Sequence, residues 1–296
     1  MENFYAFLLS NPHFSKITYC HLTLIEYNCP LQQEYVPVWT PHDYVVHIIS
    51  GKKTWYTLEE NITLQQGDTA YIRKGGHIVR QYFEENFCLL LFFVTDEVKK
   101  ELLLGEAPRI RQPAVTDDFT ILYRIKGNAM LHGFFFSVLS FFKMNQPPVD
   151  EIIRLKMQEF AHILHTESEN IPVLCHLFSI EHHSLARLKT IMSQNYTYQL
   201  SPRDFAELCN RSVSSFRRDF IKCYHTTLSK WLHSTRLVHA SSLLVHTNLS
   251  VSQIALESGF ENLSHFSKSF RHHFQCTPSQ YRRQQKLNAL EQSLEV

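Results

Sequence analysis

One pattern is written twice in the C-terminal third of this chain, and it limits the fold more than any other feature. The first copy is LSPRDFAELCNRSVSSFRRDF at 200–220, and the second opens LSVSQIALESGFENLSHFSKSF at 249–270. Lined up, Leu200 meets Leu249, Ser201 meets Ser250, Phe205 meets Ile254, Ala206 meets Ala255 and Asn210 meets Gly259. After one inserted residue, Phe216 meets Phe266 and Phe220 meets Phe270. Each copy predicts a helix, a tight turn and a second helix. Ser201 and Ser250 are expected N-caps, because a hydroxyl accepts from the open amides of a first turn. Pro202 follows at the first helical position, where its missing N–H costs nothing. Small Ala206 and Ala255 allow a close helix crossing. Gly259 suits a left-handed turn residue, and Asn210 is the next best choice.

In each second helix the two phenylalanines lie four residues apart, so they share one face, which must be the core. Ser214, Ser215, Arg217 and Arg218 then point outward in the first copy, and Ser264, His265, Ser267 and Lys268 in the second. Serine permits close approach to a major groove, and arginine can bond guanine O6 and N7. An ordinary amphipathic helix would also carry a polar outer face, but the charge distribution argues for DNA. Residues 184–285 hold 13 Lys and Arg against 5 Asp and Glu, a net of +8, whereas the rest of the chain carries 16 against 23. Such a basic region suits phosphate contacts.

Between the copies, Leu228, Trp231, Leu232, Leu237, Ala240, Leu243 and Leu244 form a helical stripe uninterrupted by proline. One long helix would hold two reading heads for successive major grooves about 34 Å apart. Beyond the second copy, TPSQYRR breaks the helix at Pro278 and adds Arg282 and Arg283. Arg236, Ala240, Leu243 and Leu244, with IALESGF (254–260), FSKSFRHHF (266–274) and TPSQYR (277–282), resemble the paired helix-turn-helix domain of the AraC family of bacterial transcription regulators. The resemblance covers residues 184–285. It implies sequence-specific binding to double-stranded promoter DNA, contact with RNA polymerase, and in many members a homodimer on tandem sites. It also implies base contacts from Arg217 and Arg218 and phosphate contacts from Lys268 and Arg271. The glycine common after each second helix is replaced here by His225 and Gln275, which puts the geometry of those turns in question.

From Phe14 to Thr95, short apolar or alternating runs such as YVVHIIS, KTWYTL, TAYIRK and FCLLLFFVT are separated by turn residues, which predicts a β-barrel or jelly roll. GDTAYIRKGGHIVRQY resembles part of a cupin motif, as in the sensor domains of many AraC-family chains. Trp55, Tyr71, His77 and Tyr82 are candidates to line a pocket for a small-molecule effector, with core packing as the alternative; a protein effector is the other expectation. His42 and His47 are five apart and face opposite sides of a strand, so with His77 they make no convincing metal set. No cofactor is expected.

Residues 96–183 read as mostly helical. Within VDEIIRLKMQEFAHILH, Ile153, Met157, Phe160 and Leu164 follow 4-3-4 spacing, either a dimer seam or a face packed on the barrel. The expected fold is therefore α+β in two domains. Residues 1–183 form a cupin-like sensing domain with a helical dimerisation segment from about 96. Residues 184–285 form an all-α domain of two helix-turn-helix subdomains joined by a long helix, and 286–296 a tail. Seven cysteines without a CxxC pair read as reduced thiols. No segment reads as a signal peptide or membrane span, so a soluble cytoplasmic protein is expected. No cluster of nucleophile and base, nor a four-cysteine module, points to an enzyme.

Overall fold

The computed structural model describes residues 1–19, 22–28, 34–57, 60–82, 87–99, 120–144, 146–178 and 185–285. The chain falls into two compact units, Met1–Ser184 and Leu185–Val296.

Among the described residues the first unit has eleven strands: β1 (Glu2–Asn3), β2 (Ser15–Tyr19), β3 (Leu22–Asn28), β4 (Tyr35–Thr40), β5 (Asp43–Ser50), β6 (Lys52–Tyr56), β7 (Asn61–Gln65), β8 (Thr69–Ile72), β9 (Gly75–Gln81), β10 (Cys88–Val94) and β11 (Leu122–Ile125). They form a five-stranded sheet in the order β1-β4-β9-β6-β7 and a six-stranded sheet in the order β11-β8-β5-β10-β3-β2. A short helix, α1 (Phe4–Ser10), precedes β2 and is capped by the Asn3 side chain.

The unbroken apolar run of β10 explains the layering. Leu89, Leu91 and Phe93 enter a core shared by both sheets, with Val36, Trp55 and Val79 contributed by the five-stranded one. Alternate residues Leu90, Phe92 and Val94 enter a second core on the outer face. A strand covered on both faces has no polar side to show. The outer core is closed by α2 (Ala129–Phe141), α3 (Asp150–His165) and α4 (Ile171–Phe178).

One expectation is corrected here. Ile153, Met157, Phe160 and Leu164 are not an exposed dimer seam: they are 2, 6, 1 and 0 % exposed within this second core. Phe160 packs edge-on to Phe92 at 5.1 Å. The 4-3-4 stripe is satisfied by the sheet beneath it. The described part of residues 96–183 is mostly helical, with one strand, β11, that pairs antiparallel with β8 and extends the larger sheet. Residues 96–99 are helical, and residues 100–119, the expected boundary between 183 and 184 and the tail at 286–296 lie outside the described residues.

At the start of β5, Asp43 is buried with three donors. Its Oδ2 accepts from Lys99 Nζ at 2.5 Å and from the Tyr71 hydroxyl at 2.6 Å, and its Oδ1 accepts from the Lys74 amide at 2.8 Å. Burial alone would raise this carboxyl, but the charges of Lys99 and Lys74 outweigh it and hold Asp43 well below the usual carboxylate range. Lys99 is only 2 % exposed, so removing one partner strands a charge. Lys99→Met is expected to cost about 3–5 kcal/mol in chemical denaturation, and Asp43→Asn combined with Lys99→Met to recover part of that loss; a double variant no more stable than Lys99→Met would contradict this.

In the second unit, α5 (Leu185–Asn195) is followed by α6 (Pro202–Leu208), α7 (Val213–Tyr224), α8 (Leu228–His246), α9 (Val251–Glu257) and α10 (Leu263–Phe274). Residues 278–285 are again helical. At 19 residues, α8 is about 28 Å long.

Candidate nucleic-acid interface

The two heads, α6–α7 and α9–α10, are built by matching local chemistry. Ser201 Oγ accepts from the Asp204 amide at 3.2 Å while the Asp204 carboxylate accepts from the Ser201 amide at 2.7 Å. Ser250 and Gln253 repeat the exchange at 3.2 and 2.9 Å. These reciprocal bonds are capping boxes, which fix where each first helix begins. Each first helix ends in the same turn. Asn210 and Gly259 both adopt positive φ, 52° and 82°. In both heads the next amide returns to the alanine carbonyl, Arg211 to Ala206 and Phe260 to Ala255, each at 2.9 Å. Ser212 and Asn262 then cap the second helices, so the inserted residue of the second copy is Glu261.

Phe216 and Phe220 are each 1 % exposed, and Phe266 and Phe270 are fully buried. Their burial turns Ser214, Arg217 and Arg218 of α7 outward, with Ser215 half-buried. On α10 it exposes Ser264, His265, Lys268 and Arg271, with Ser267 half-buried. The α10 sequence contains no acidic residue, and the single acid of α7, Asp219, is engaged by Arg211. Both outer faces therefore present cations and hydroxyls. Arg282, grouped with the basic residues at the sequence level, is instead structural: its guanidinium donates to the Leu244 and Leu249 carbonyls at 3.1 and 2.6 Å.

The candidate effector residues do not converge. Trp55 and His77 lie between the sheets, where Tyr44 Oη accepts from Trp55 Nε1 at 3.2 Å and sits 2.7 Å from His77 Nε2. Burial lowers the His77 imidazole to about 3. Tyr71 belongs to the opposite, helix-covered core and bonds Asp43. Tyr82 bonds Thr54 at 3.0 Å, on the face of β6 opposite Trp55. Strand alternation separates what composition grouped. The histidines are apart as well. His42 precedes β5, and His47 stacks on Phe135 at 4.1 Å. Among the described residues no three His, Cys, Asp or Glu side chains cluster as metal ligands would.

Comparison with known proteins follows this division. Residues 43–174 match the model of the ExsA N-terminal regulatory domain, and residues 205–284 match a helix-turn-helix domain model. The chain thus joins an ExsA-type N-terminal regulatory domain to an AraC-type helix-turn-helix domain. Among its relatives, the HTH-type transcriptional regulator ExsA of Pseudomonas aeruginosa is 22 % identical over 90 % of this chain and 92 % of its own. The virulence regulon transcriptional activator VirF of Yersinia enterocolitica is 25 % identical over 79 % of this chain and 87 % of its own. A solved structure of ToxT from Vibrio cholerae covers 88 % of this chain and 97 % of its own at 13 % identity and a TM-score of 0.41.

His225 and Gln275 hold left-handed positions, at φ 54° and 60°, where the sequence departs from the expected glycine. The turns keep their geometry at a steric cost. His225→Gly and Gln275→Gly are each expected to stabilise the second unit by about 0.5–1 kcal/mol in thermal unfolding, since a Cβ is unfavourable there; a fall in stability for both would contradict this.

Proposed function

We propose that this chain is a transcription activator that reads promoter DNA with two helix-turn-helix heads under the control of its first unit. The observation that carries the reading is the duplicated head itself. Twice, paired phenylalanines rotate a capped helix so that a face rich in cations and hydroxyls looks outward. Such a face supplies the two kinds of contact DNA recognition requires, phosphate neutralisation and base-edge bonding. Relatives named as transcriptional regulators and activators support the same reading, and a regulator needs no catalytic centre.

The base-reading role falls to Arg217 and Arg218 with Ser214 and Ser215, and the backbone-binding role to Lys268 and Arg271 with Ser264, His265 and Ser267. The first unit matches a regulatory domain, which supports a signal-receiving role in which a protein or small-molecule effector changes how the heads engage DNA. With Trp55 and His77 between the sheets, Tyr71 in the helix-covered core and Tyr82 in neither, a protein effector acting on an outer surface is the better supported form. Contact with RNA polymerase and a homodimer on tandem sites complete the proposal. The dimer must use a surface other than the buried Ile153, Met157, Phe160 and Leu164 face. Among the described residues no helix is long and apolar enough to cross a membrane, in keeping with action in the cytoplasm.

Arg217→Ala is expected to cost about 1–3 kcal/mol on the selected site and to relax base preference at one position, whereas Lys268→Ala weakens all duplexes alike and lowers the salt slope by about one. Binding titrations on selected and random duplexes across a salt series separate the two. Equal losses on both duplexes for Arg217→Ala would overturn the base-reading assignment.

A further inference from the structure

The two heads of the second unit are joined in two places of different character. The first is α8, whose Leu237, Ala240 and Leu244 enter the core of the second head. The second is a polar joint between the connector after α5 and the turn of the second head. Arg236, on α8, donates through Nε to the Tyr196 carbonyl at 2.7 Å and through Nη2 to the Tyr198 carbonyl at 2.8 Å. One residue further along the connector, Gln199 Nε2 donates to the Gly259 carbonyl at 2.5 Å. The fit around Gly259 is tight: a Cβ there would overlap the Thr197 carbonyl oxygen and come within 2.9 Å of Arg236 Nε. Thus Gly259 serves twice, by its positive φ and by admitting the neighbouring connector.

Beside this joint the heads stand apart. A cleft of about 820 Å³ lies between them, with Gln199, Arg236 and Gly259 on its wall, Arg217 from the first head, His233 from α8 and His265 from the second. The joint and α8 therefore bridge the two heads across this cleft. A polar joint also holds differently from an apolar one. Greasy surfaces can slide with little change in energy, whereas displacing this joint leaves directional donors and carbonyls unpaired in a half-buried site.

We infer that the joint of Arg236, Gln199 and Gly259 sets the separation of the two reading helices, and through it the spacing of the two base-pair blocks the protein accepts. These are positioning residues that touch no base. The inference rests on the proposed two-headed reading of DNA. Spacing is a sensitive readout because each added base pair moves a block by about 3.4 Å and rotates it by roughly 35° around the duplex. Arg282 provides an internal control. It ties the last turn of α8 and the connector before α9 to the helix that follows α10, through paired bonds to the Leu244 and Leu249 carbonyls, all within the second head, and it makes no bond to the connector after α5.

The test uses the full-length chain. A motif is first selected from randomised duplexes, and its two blocks are then moved together or apart by one and two base pairs. The native protein is expected to lose about tenfold in affinity for a one-base-pair displacement, the size of a mismatch penalty. In Gln199→Ala and Arg236→Lys that penalty shrinks to about threefold or less, while the base preference within each block stays native; in Arg282→Lys the penalty stays native. Should Arg236→Lys melt early, Gln199→Ala carries the test, because its amide reaches only the Gly259 carbonyl. Native spacing penalties in folded Gln199→Ala would overturn the inference and leave the two-headed reading standing. A native protein that selects no two-block motif would overturn both.

Discussion

Burial of Phe216 and Phe220 in one head, and of Phe266 and Phe270 in the other, fixes the rotation of each second helix about its own axis. Rotation decides everything that the outer face can do. A helix has one apolar stripe to bury, and two phenylalanines four residues apart leave no second choice of face. Around this constraint the remaining features act as stops: capping boxes at Ser201 and Ser250 set where each head begins, and left-handed Asn210 and Gly259 set where its chain turns. The surface left over is short side chains and cations. The polar joint then orders the two heads relative to each other, a task that neither phenylalanine pair performs.

The first unit is governed by a different constraint, that of an apolar sheet needing cover on both sides. The β10 run supplies side chains to both faces, so α2, α3 and α4 are required as a lid on the outer one. This requirement absorbs the stripe of Ile153, Met157, Phe160 and Leu164. It also explains why aromatic and histidine side chains grouped by sequence position end in separate cores. A buried ion pair of this unit, Asp43 with Lys99, joins the beginning of β5 to the segment after β10, two strands that already pair along their length.

The second unit was largely legible from sequence because its signals are local. N-caps, the positive-φ turn and phenylalanine spacing each act within a few residues, and the duplication doubled every signal. The cost of replacing glycine by His225 and Gln275 was also visible, although the turn geometry survived the change. In the first unit the strand runs were readable, but their partners depend on pairings far apart in sequence. Thus β11 was hidden within a stretch read as mostly helical, and the helical stripe of α3 could not say whether its partner was a sheet or a second chain. The polar joint was invisible for a similar reason. Arg236 stood out only by resemblance, and nothing in helical periodicity links it to two carbonyls some forty residues earlier or Gln199 to Gly259.

The central claim is that both second helices face the same duplex, one after the other. It is tested most directly by replacing Ser214 and, separately, Ser264 with a photo-cross-linking amino acid and mapping the linked bases on a selected duplex. The account predicts one cross-linked block from each position, with the two blocks about one helical turn apart. Cross-links from only one of the two helices, or from both to the same block, would contradict it.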